Sequence, residues 1–382
     1  MISSGGPFTV DTVTAQIESM LNGSGGVVRL DRSSDAIGQN QIPDGFTGVL
    51  VSTSGSTGTP KTVMLSRGAL TSAAQAAHDR LGGPGAWVNP LPPWYVAGLM
   101  TVVRAILAGC PHRQISPHLE DLPHPGQRSY LSLVPAQLHR GLSDPEICKI
   151  LTTYDAVLIG GAALDESLHA QAVQAGVRVV TTYGMSETCG GVVYDGIPLD
   201  GVTVRFQPID PADPIDAVDP VDPGGTGREP AEGRILLETP TLFDGYLGDQ
   251  EDTAKVKIGH AFLTSDRGLL IDSRLHVLGR VDDVVQSGGV NVDLAAIQRL
   301  LERYFPHQTA CFAVPDPVWG ATVILASTGP DLDQIMDRLG PHIDSAARPR
   351  GIMGLDALPR THSGKIDRET LAEKWRLDGN RA

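Results

Sequence analysis

Short runs of apolar, β-branched residues alternate along this chain with stretches whose apolar positions recur every three or four residues. Residues 49–53 form the first such run and lead into a turn rich in Gly, Ser and Thr. Positions 69, 70, 73, 74, 77 and 81 then follow helical spacing, with Gly82 placed to end the helix. Residues 131–134, 156–159 and 178–182 read as further buried strands, and 164–175 as a helix between the last two. This alternation predicts an α/β fold with a large N-terminal domain of mainly parallel, helix-covered sheets. Ligands of such sheets bind beyond the carboxyl ends of the strands, so the loops there are expected to carry the chemistry. The most apolar span, 98–110, is short and holds Arg104, which predicts a buried helix and not a membrane crossing.

The second half is patterned differently. Residues 208–230 are dominated by Pro and Asp without a helical or strand period, which predicts a solvated surface insertion. A further break near 279–283 precedes a predicted helix (294–304), two strands (309–314 and 321–328) and another helix (332–339). That is a small α+β unit, so two domains are expected, 1–280 and 281–382.

Composition narrows the function without changing the fold. Hydrophobic residues make up 41% and charged residues 19%, as in globular enzymes. Thirty Lys+Arg stand against 44 Asp+Glu, a net charge of −14, which argues against nucleic acid and anionic membranes as partners. The start, MISSGGPFTV, has no basic segment followed by an apolar core, so no secretory leader and a cytoplasmic location are expected. Cys110, Cys148, Cys189 and Cys311 form no C-x-x-C pair and read as buried reduced thiols. His78, His139 and His362 read as surface or packing residues, and no ligand pair suggests zinc.

The densest chemical signal is STSGSTGTPK at 52–61. Glycines, serines and threonines in this density turn backbone N–H groups and hydroxyls toward one point, which suits a phosphate. It is not a Walker A loop, because Pro60 stands directly before Lys61 where that motif has Gly.

This string resembles the phosphate loop of the adenylate-forming acyl-CoA ligase superfamily, and further motifs follow in that family's order. Gly160-Gly161-Ala162 is similar to its adenine turn, and YGMSET at 183–188 to its Y-G-x-T-E motif, with Ser186 in the usual Thr place. GRILLETPTLFDGY (233–246), TSDRG (264–268), GRVDDVVQSGG (279–289) and PRTHSGKIDR (359–368) resemble the strand before the ribose site, the ribose motif, the hinge and the catalytic-lysine segment.

The resemblance implies an enzyme that joins a small carboxylic acid to ATP, releases pyrophosphate, then passes the acyl group to CoA. It implies an ATP site of Thr53, Ser54, Gly55, Ser56, Thr57, Gly58, Lys61, Gly161, Ala162, Tyr183, Gly184, Ser186 and Asp266. Glu187 is implied as the Mg²⁺ ligand, and Lys365, Glu187 and Arg280 as the catalytic groups. Asp282 is implied as the hinge of a mobile C-terminal domain, and Ser287, Gly288 and Gly289 as the CoA channel. A homodimer is an admissible partner state for such enzymes.

Within the superfamily, the chain most resembles the o-succinylbenzoate–CoA ligases of menaquinone biosynthesis, in their short actinobacterial form. The short lead before Thr53, LPPWYVAGL at 91–99, SLVPAQLHR at 132–140 and GGVNV ending at Val292 carry this likeness. The string QSGGVNV departs from the commoner G-G-x-K-I ending of the hinge motif. An acyl pocket is implied among Tyr95, Ser132, Val134 and Gln137, beside Gly161 and Gly184. The alternatives are another aryl- or acyl-CoA ligase, or an adenylation enzyme that loads a carrier protein. A catalytically dead relative is disfavoured by the presence of Glu187, Asp266, Arg280 and Lys365.

Overall fold

A computed structural model describes residues 9–30, 42–53, 61–208, 232–287, 290–343, 347–361 and 366–379. The chain opens with α1 (Val10–Leu21), β1 (Val27–Arg29), β2 (Gly48–Thr53), β3 (Lys61–Ser66) and α2 (Arg67–Arg80). It continues through β4 (Ala86–Asn89), α3 (Val96–Ala108), β5 (His112–Gln114), β6 (Ser129–Leu133), α4 (Pro135–Ser143) and α5 (Pro145–Leu151). Next come β7 (Ala156–Ile159), α6 (Glu166–Gln174), β8 (Val179–Met185), β9 (Gly190–Tyr194) and β10 (Ile197–Pro198). A third stretch gives β11 (Thr203–Gln207), β12 (Gly233–Glu238), β13 (Gly245–Tyr246), α7 (Gln250–Val256), β14 (Lys257–Ile258), β15 (Ala261–Ile271) and β16 (Arg274–Arg280). The last elements are β17 (Val284–Ser287), β18 (Val290–Asp293), α8 (Leu294–Tyr304), β19 (Thr309–Asp316), β20 (Gly320–Ser327), α9 (Leu332–Leu339), β21 (Gly351–Gly354) and α10 (Arg368–Gly379).

Among the described residues these strands group into four sheets. The largest has the order β10-β9-β8-β7-β6-β4-β5 and is parallel from β5 to β8. One face packs α4, α5 and α6 through Leu138, Leu151 and Leu168, and the other meets α2 and α3 through Ala77 and Ala105. The opposite sides of α2 and α3 meet α1 and the first sheet, β1-β2-β3-β13, through Leu70, Val102 and Val103. Two sheets therefore share one helical layer. That explains why Gly98 to Ala105 of α3 are all buried, since a helix covered on both sides needs no polar face. Its Arg104, read from sequence as an interruption, is buried as well and lies over the Trp87 ring at 4.9 Å.

The α/β class is as the sequence pattern predicts, but parallel pairing is concentrated in the large sheet. β11-β12-β15-β14, with β16 on β15, is antiparallel throughout. It packs Val204, Phe206 and Ile235 against Val192 and Val193 of β9. The C-terminal residues form β18-β17-β20-β19, with β21 parallel to β20. Helices α8 and α9 cover one side of this sheet and α10 the other.

The cysteines differ from expectation in part. All four are free, but only Cys189 and Cys311 are buried, and burial pushes the Cys311 thiol up to about 12. Cys110 and Cys148 are half-buried, because one follows the Gly109 cap of α3 and the other sits in the short surface helix α5. No described helix is long and apolar enough to cross a membrane. The Pro/Asp stretch from 209 onward lies outside the described residues.

Candidate active site

The turns after β6, β7 and β8 lie at the carboxyl ends of the parallel strands, where an α/β sheet leaves a crevice. Gly161 follows β7 with φ of 80°, and a Cβ placed on it would sit 3.5 Å from Val134 Cγ1. Two residues expected at the acyl pocket are thus adjacent. Ala162 continues the same exposed turn. Ser132 is buried in β6, and Tyr95 stands at the start of α3, 37% exposed. Gln137 is buried and engaged: its Oε1 accepts the Val134 N–H at 3.1 Å and its amide donates to Pro117 O at 3.2 Å. It anchors the start of α4, an ordinary use of Gln in a first helical turn.

β8 carries the Tyr-Gly-Met sequence as strand, not as turn. The register with β9 shifts between Tyr183 and Gly184, a β-bulge. At Gly184 the two backbones approach so closely that a Cβ would stand 1.9 Å from Gly190 O. The bulge re-aims the residues that follow. Ser186, Glu187 and Thr188 form one tight turn at the end of β8, pinned where Thr188 Oγ1 accepts the Met185 N–H at 3.0 Å.

Tyr183 points its hydroxyl at Asp266 and donates to Oδ2 at 2.8 Å, across 83 positions of sequence. Burial, and then the charge and hydrogen bond of Asp266, push the Tyr183 phenol well above its ordinary value, so it remains a donor. Asp266 is set in β15 directly opposite Arg280 of β16, and its N–H is held by Thr264 Oγ1 at 3.0 Å. Arg280 in turn makes two hydrogen bonds to Asp282, at 2.9 and 2.8 Å. The geometry joins Tyr183, Asp266, Arg280 and Asp282 in one chain.

A second group assembles around Glu187. Tyr246 donates its hydroxyl to Glu187 Oε1 at 2.8 Å, and Phe243 N–H donates to Glu187 O at 2.8 Å. Burial pushes the Glu187 carboxyl up, while the Tyr246 hydrogen bond and the Lys61 charge act the other way. Lys61 Nζ lies 4.6 Å from the centre of the Tyr246 ring and pairs with Asp252 at 2.5 Å. Hydrogen bonds from Lys61 and Lys255 hold the Asp252 carboxyl down to about 2. Thr53 and Lys61 are register partners at the end of β2 and the start of β3. Tyr246 and Asp252 were not singled out from sequence. Tyr246 ends the GRILLETPTLFDGY string and was readable only as part of it, whereas Asp252 sits in no motif.

The C-terminal unit reaches this region near β16. Arg267, 9% exposed at its side chain, bonds Glu232 at 2.5 Å and also pairs with Asp293, which caps α8. Glu232, Arg267, Val281, Val284, Asn291 and Asp293 border a cleft of about 340 Å³. The His139 ring of α4 meets the His307 ring edge-on at 5.3 Å. Ser287 is buried at the end of β17. The positions Ser54, Gly55, Ser56, Thr57, Gly58, Gly288, Gly289, His362 and Lys365 lie outside the described residues.

Comparison with known proteins adds to this geometry. A family model described as AMP-binding enzyme matches residues 41–247. The chain is 36% identical to a probable 2-succinylbenzoate–CoA ligase of Mycobacterium tuberculosis, over 86% of this chain and 84% of that one. It is 28% identical to a fatty acid–acyl-carrier-protein ligase of Mycobacterium marinum, over 85% of this chain and 67% of that one. The structure of the o-succinylbenzoate coenzyme A synthetase of Bacillus subtilis in complex with AMP shares the fold. Its TM-score is 0.71 at 20% identity, covering 94% of this chain and 80% of that one.

Proposed function

The chain belongs to the AMP-binding enzyme family, and from that premise we propose that it ligates o-succinylbenzoate, that is 2-succinylbenzoate, to CoA with ATP. In the first half-reaction a carboxylate oxygen attacks the α-phosphorus and pyrophosphate leaves. In the second, the CoA sulfur attacks the acyl carbon, loses its proton to solvent, and AMP leaves. The observation that carries the reading is the meeting of Tyr183, Asp266 and Arg280, which come from separate motifs and join at one strand end. The choice of acid is supported by the 36% likeness to the mycobacterial ligase.

The residues divide the work by their chemistry. Thr53, Lys61 and the segment 54–58 hold the phosphates through hydroxyls, N–H groups and one ammonium. Gly161, Ala162, Gly184 and Ser186 border the adenosine, and Asp266 accepts the ribose hydroxyls as a charged acceptor. Arg280, fixed by Asp282, supplies positive charge near the ribose and α-phosphate. Glu187 fits a magnesium ion, being a hard oxygen donor steadied at both its backbone and its carboxylate. When bound, the ion neutralises phosphate charge as pyrophosphate departs. Lys365 bridges the substrate carboxylate and the α-phosphate, and the unit 281–382 turns about Asp282 between the half-reactions. Ser287, Gly288 and Gly289 line the thiol's path. Tyr95, Ser132 and Val134 border the acyl group, with Gln137 supporting from behind.

Pyrophosphate release over a panel of acids, with and without CoA, tests the proposal. Strong preference for o-succinylbenzoate with stoichiometric CoA consumption is expected, and absence of release with every acid refutes it. Release without CoA consumption supports carrier loading, the second reading, which the likeness to the mycobacterial acyl-carrier-protein ligase favours. Lys365→Ala is expected to abolish adenylation and spare transfer from preformed adenylate; equal loss in both steps removes Lys365 from its assigned role.

A further inference from the structure

We propose that Tyr246 is a positioning residue shared by Glu187 and Lys61: its hydroxyl fixes the carboxylate and its ring seats the ammonium. The inference rests on the reading of Glu187 and Lys61 as metal and phosphate ligands and adds a residue to it.

Tyr246 belongs to β13, at the edge of the first sheet, where it pairs with Val63. Val63 and Lys61 are two apart on β3, so they project from the same face of the strand. That register is what sets the Tyr246 ring beside the Lys61 side chain, with Nζ 4.6 Å from the ring centre. A cation over an aromatic face gains electrostatic attraction without a hydrogen bond, which leaves the ammonium's donors able to exchange partners. Asp252 holds one of those donors now, and an incoming phosphate can take it over.

The hydroxyl works in the other direction. It reaches from the first sheet to the turn after β8 of the large sheet and donates to Glu187 Oε1 at 2.8 Å. The same segment grips Glu187 a second time, through the Phe243 N–H to Glu187 O. Two hydrogen bonds from one turn, donated three residues apart, thus hold Glu187, one at its backbone carbonyl and one at its carboxylate. The turn itself is fixed: Tyr246 N–H donates to Thr253 Oγ1 at 2.9 Å, and the Phe243 and Tyr246 rings meet edge-on at 5.0 Å. With only 7% of its surface exposed, Tyr246 has little freedom to swing away. A tyrosine used only for packing would need a partner for its hydroxyl, but not one that is itself a ligand.

The two functions separate by substitution. Tyr246→Phe keeps the ring and removes the hydroxyl; Tyr246→Leu removes both. ATP binding is measured calorimetrically on the full chain, once with EDTA and once with magnesium chloride, with thermal unfolding as the check on folding. Tyr246→Phe should bind metal-free ATP within about twofold of the parent and lose about tenfold of the gain that magnesium gives, the low end of what one hydrogen bond to a charged group contributes. Tyr246→Leu should in addition weaken metal-free ATP binding about threefold, the scale of one cation–π contact. A Tyr246→Phe protein with the full magnesium gain overturns the proposal, as does one that loses both affinities equally. Glu187→Gln and Lys61→Ala serve as references. If neither changes its own arm, the ligand reading of those two residues has failed; if they do and Tyr246→Phe does not, only the role of Tyr246 has.

Discussion

Gly184→Ala is the smallest change that tests whether the bulge after Tyr183 builds the site. The added Cβ would lie 1.9 Å from Gly190 O, 2.6 Å from Gly190 C and 2.7 Å from Gly191 Cα. All three are backbone atoms, so no side chain can swing aside. Relief requires β8 and β9 to part by roughly 1 Å, at the upper end of the 1–3 kcal/mol typical of overpacking. At about 2 °C per kcal/mol for a large domain, the thermal midpoint should fall about 6 °C. Tyr183 and Glu187 flank the bulge, so their hydrogen bonds to Asp266 and Tyr246 would be displaced by a similar distance. Misplacement of about 1 Å at a reacting centre costs on the order of a hundredfold in rate. Circular dichroism melting and acid-dependent exchange of pyrophosphate into ATP read the two effects. Gly161→Ala is the control for the melting arm alone, since Gly161 is itself assigned to the adenosine site: it meets only Val134 Cγ1, at 3.5 Å, and carries mainly the cost of a left-handed residue, about 1–2 kcal/mol. A Gly184→Ala protein melting within about 1 °C of the parent, with activity within about twofold, would refute the reasoning.

Two further perturbations follow from buried cations and imidazoles. Burial lowers His112 from 6.5 to about 4, while the unfolded chain takes up its proton below 6.5. The unfolded state then binds more protons between pH 6.5 and 4, so stability should decline by about 1.4 kcal/mol per unit across that window, about 3 in all, and level off below it. His112→Gln should flatten the decline in chemical unfolding at a series of pH values; an unchanged slope places the effect elsewhere. Arg104 is 4% exposed, donates to Tyr194 OH at 3.3 Å and has no carboxylate partner among the described residues. Arg104→Met should leave stability unchanged or raise it by about 1–4 kcal/mol, because a buried charge without an ion pair carries its full desolvation cost. A loss above about 1 kcal/mol would show the guanidinium to be stabilising.

The elements that could be read from sequence are those whose signals are local. Helices α8 and α9 and strand β7 have the bounds that spacing predicts, because Asp293 and Asp331 cap the helices with their own side chains. Helix α1 was equally readable, with Val13, Ile17 and Met20 buried on one face and Thr9 as its cap, yet it was not predicted. β8 runs past the predicted end at 182, because Gly184 suggests a turn where the strand only bulges. The antiparallel sheet of β11, β12, β14, β15 and β16 is not legible in the sequence pattern, since β12 meets β11 and β15 only through pairings about 30 positions apart, although β14–β15 and β15–β16 are local hairpins. The same holds in the site. Motif strings gave Tyr183, Glu187, Asp266 and Arg280, but Tyr246 and Asp252 meet their partners 59 and 191 positions away. Spacing along one chain cannot encode such meetings; only the register of β13 on β3 and the placement of α7 create them.

The β15–β16 ribbon gives the proposed cycle a mechanical property. Asp266 and Arg280 are cross-strand neighbours, and the chain enters the C-terminal unit directly after Arg280, with Asp282 clasped by its guanidinium. If the proposed roles hold, nucleotide recognition and the swivel would be opposite edges of a single antiparallel ribbon, one residue pair wide. An anion drawn to Arg280 would compete with Asp282 for the same donors, so occupancy at one edge would loosen the clasp at the other. The proposed cycle would then need no long relay between ligand and domain rotation, since a change of partner on one arginine would link them.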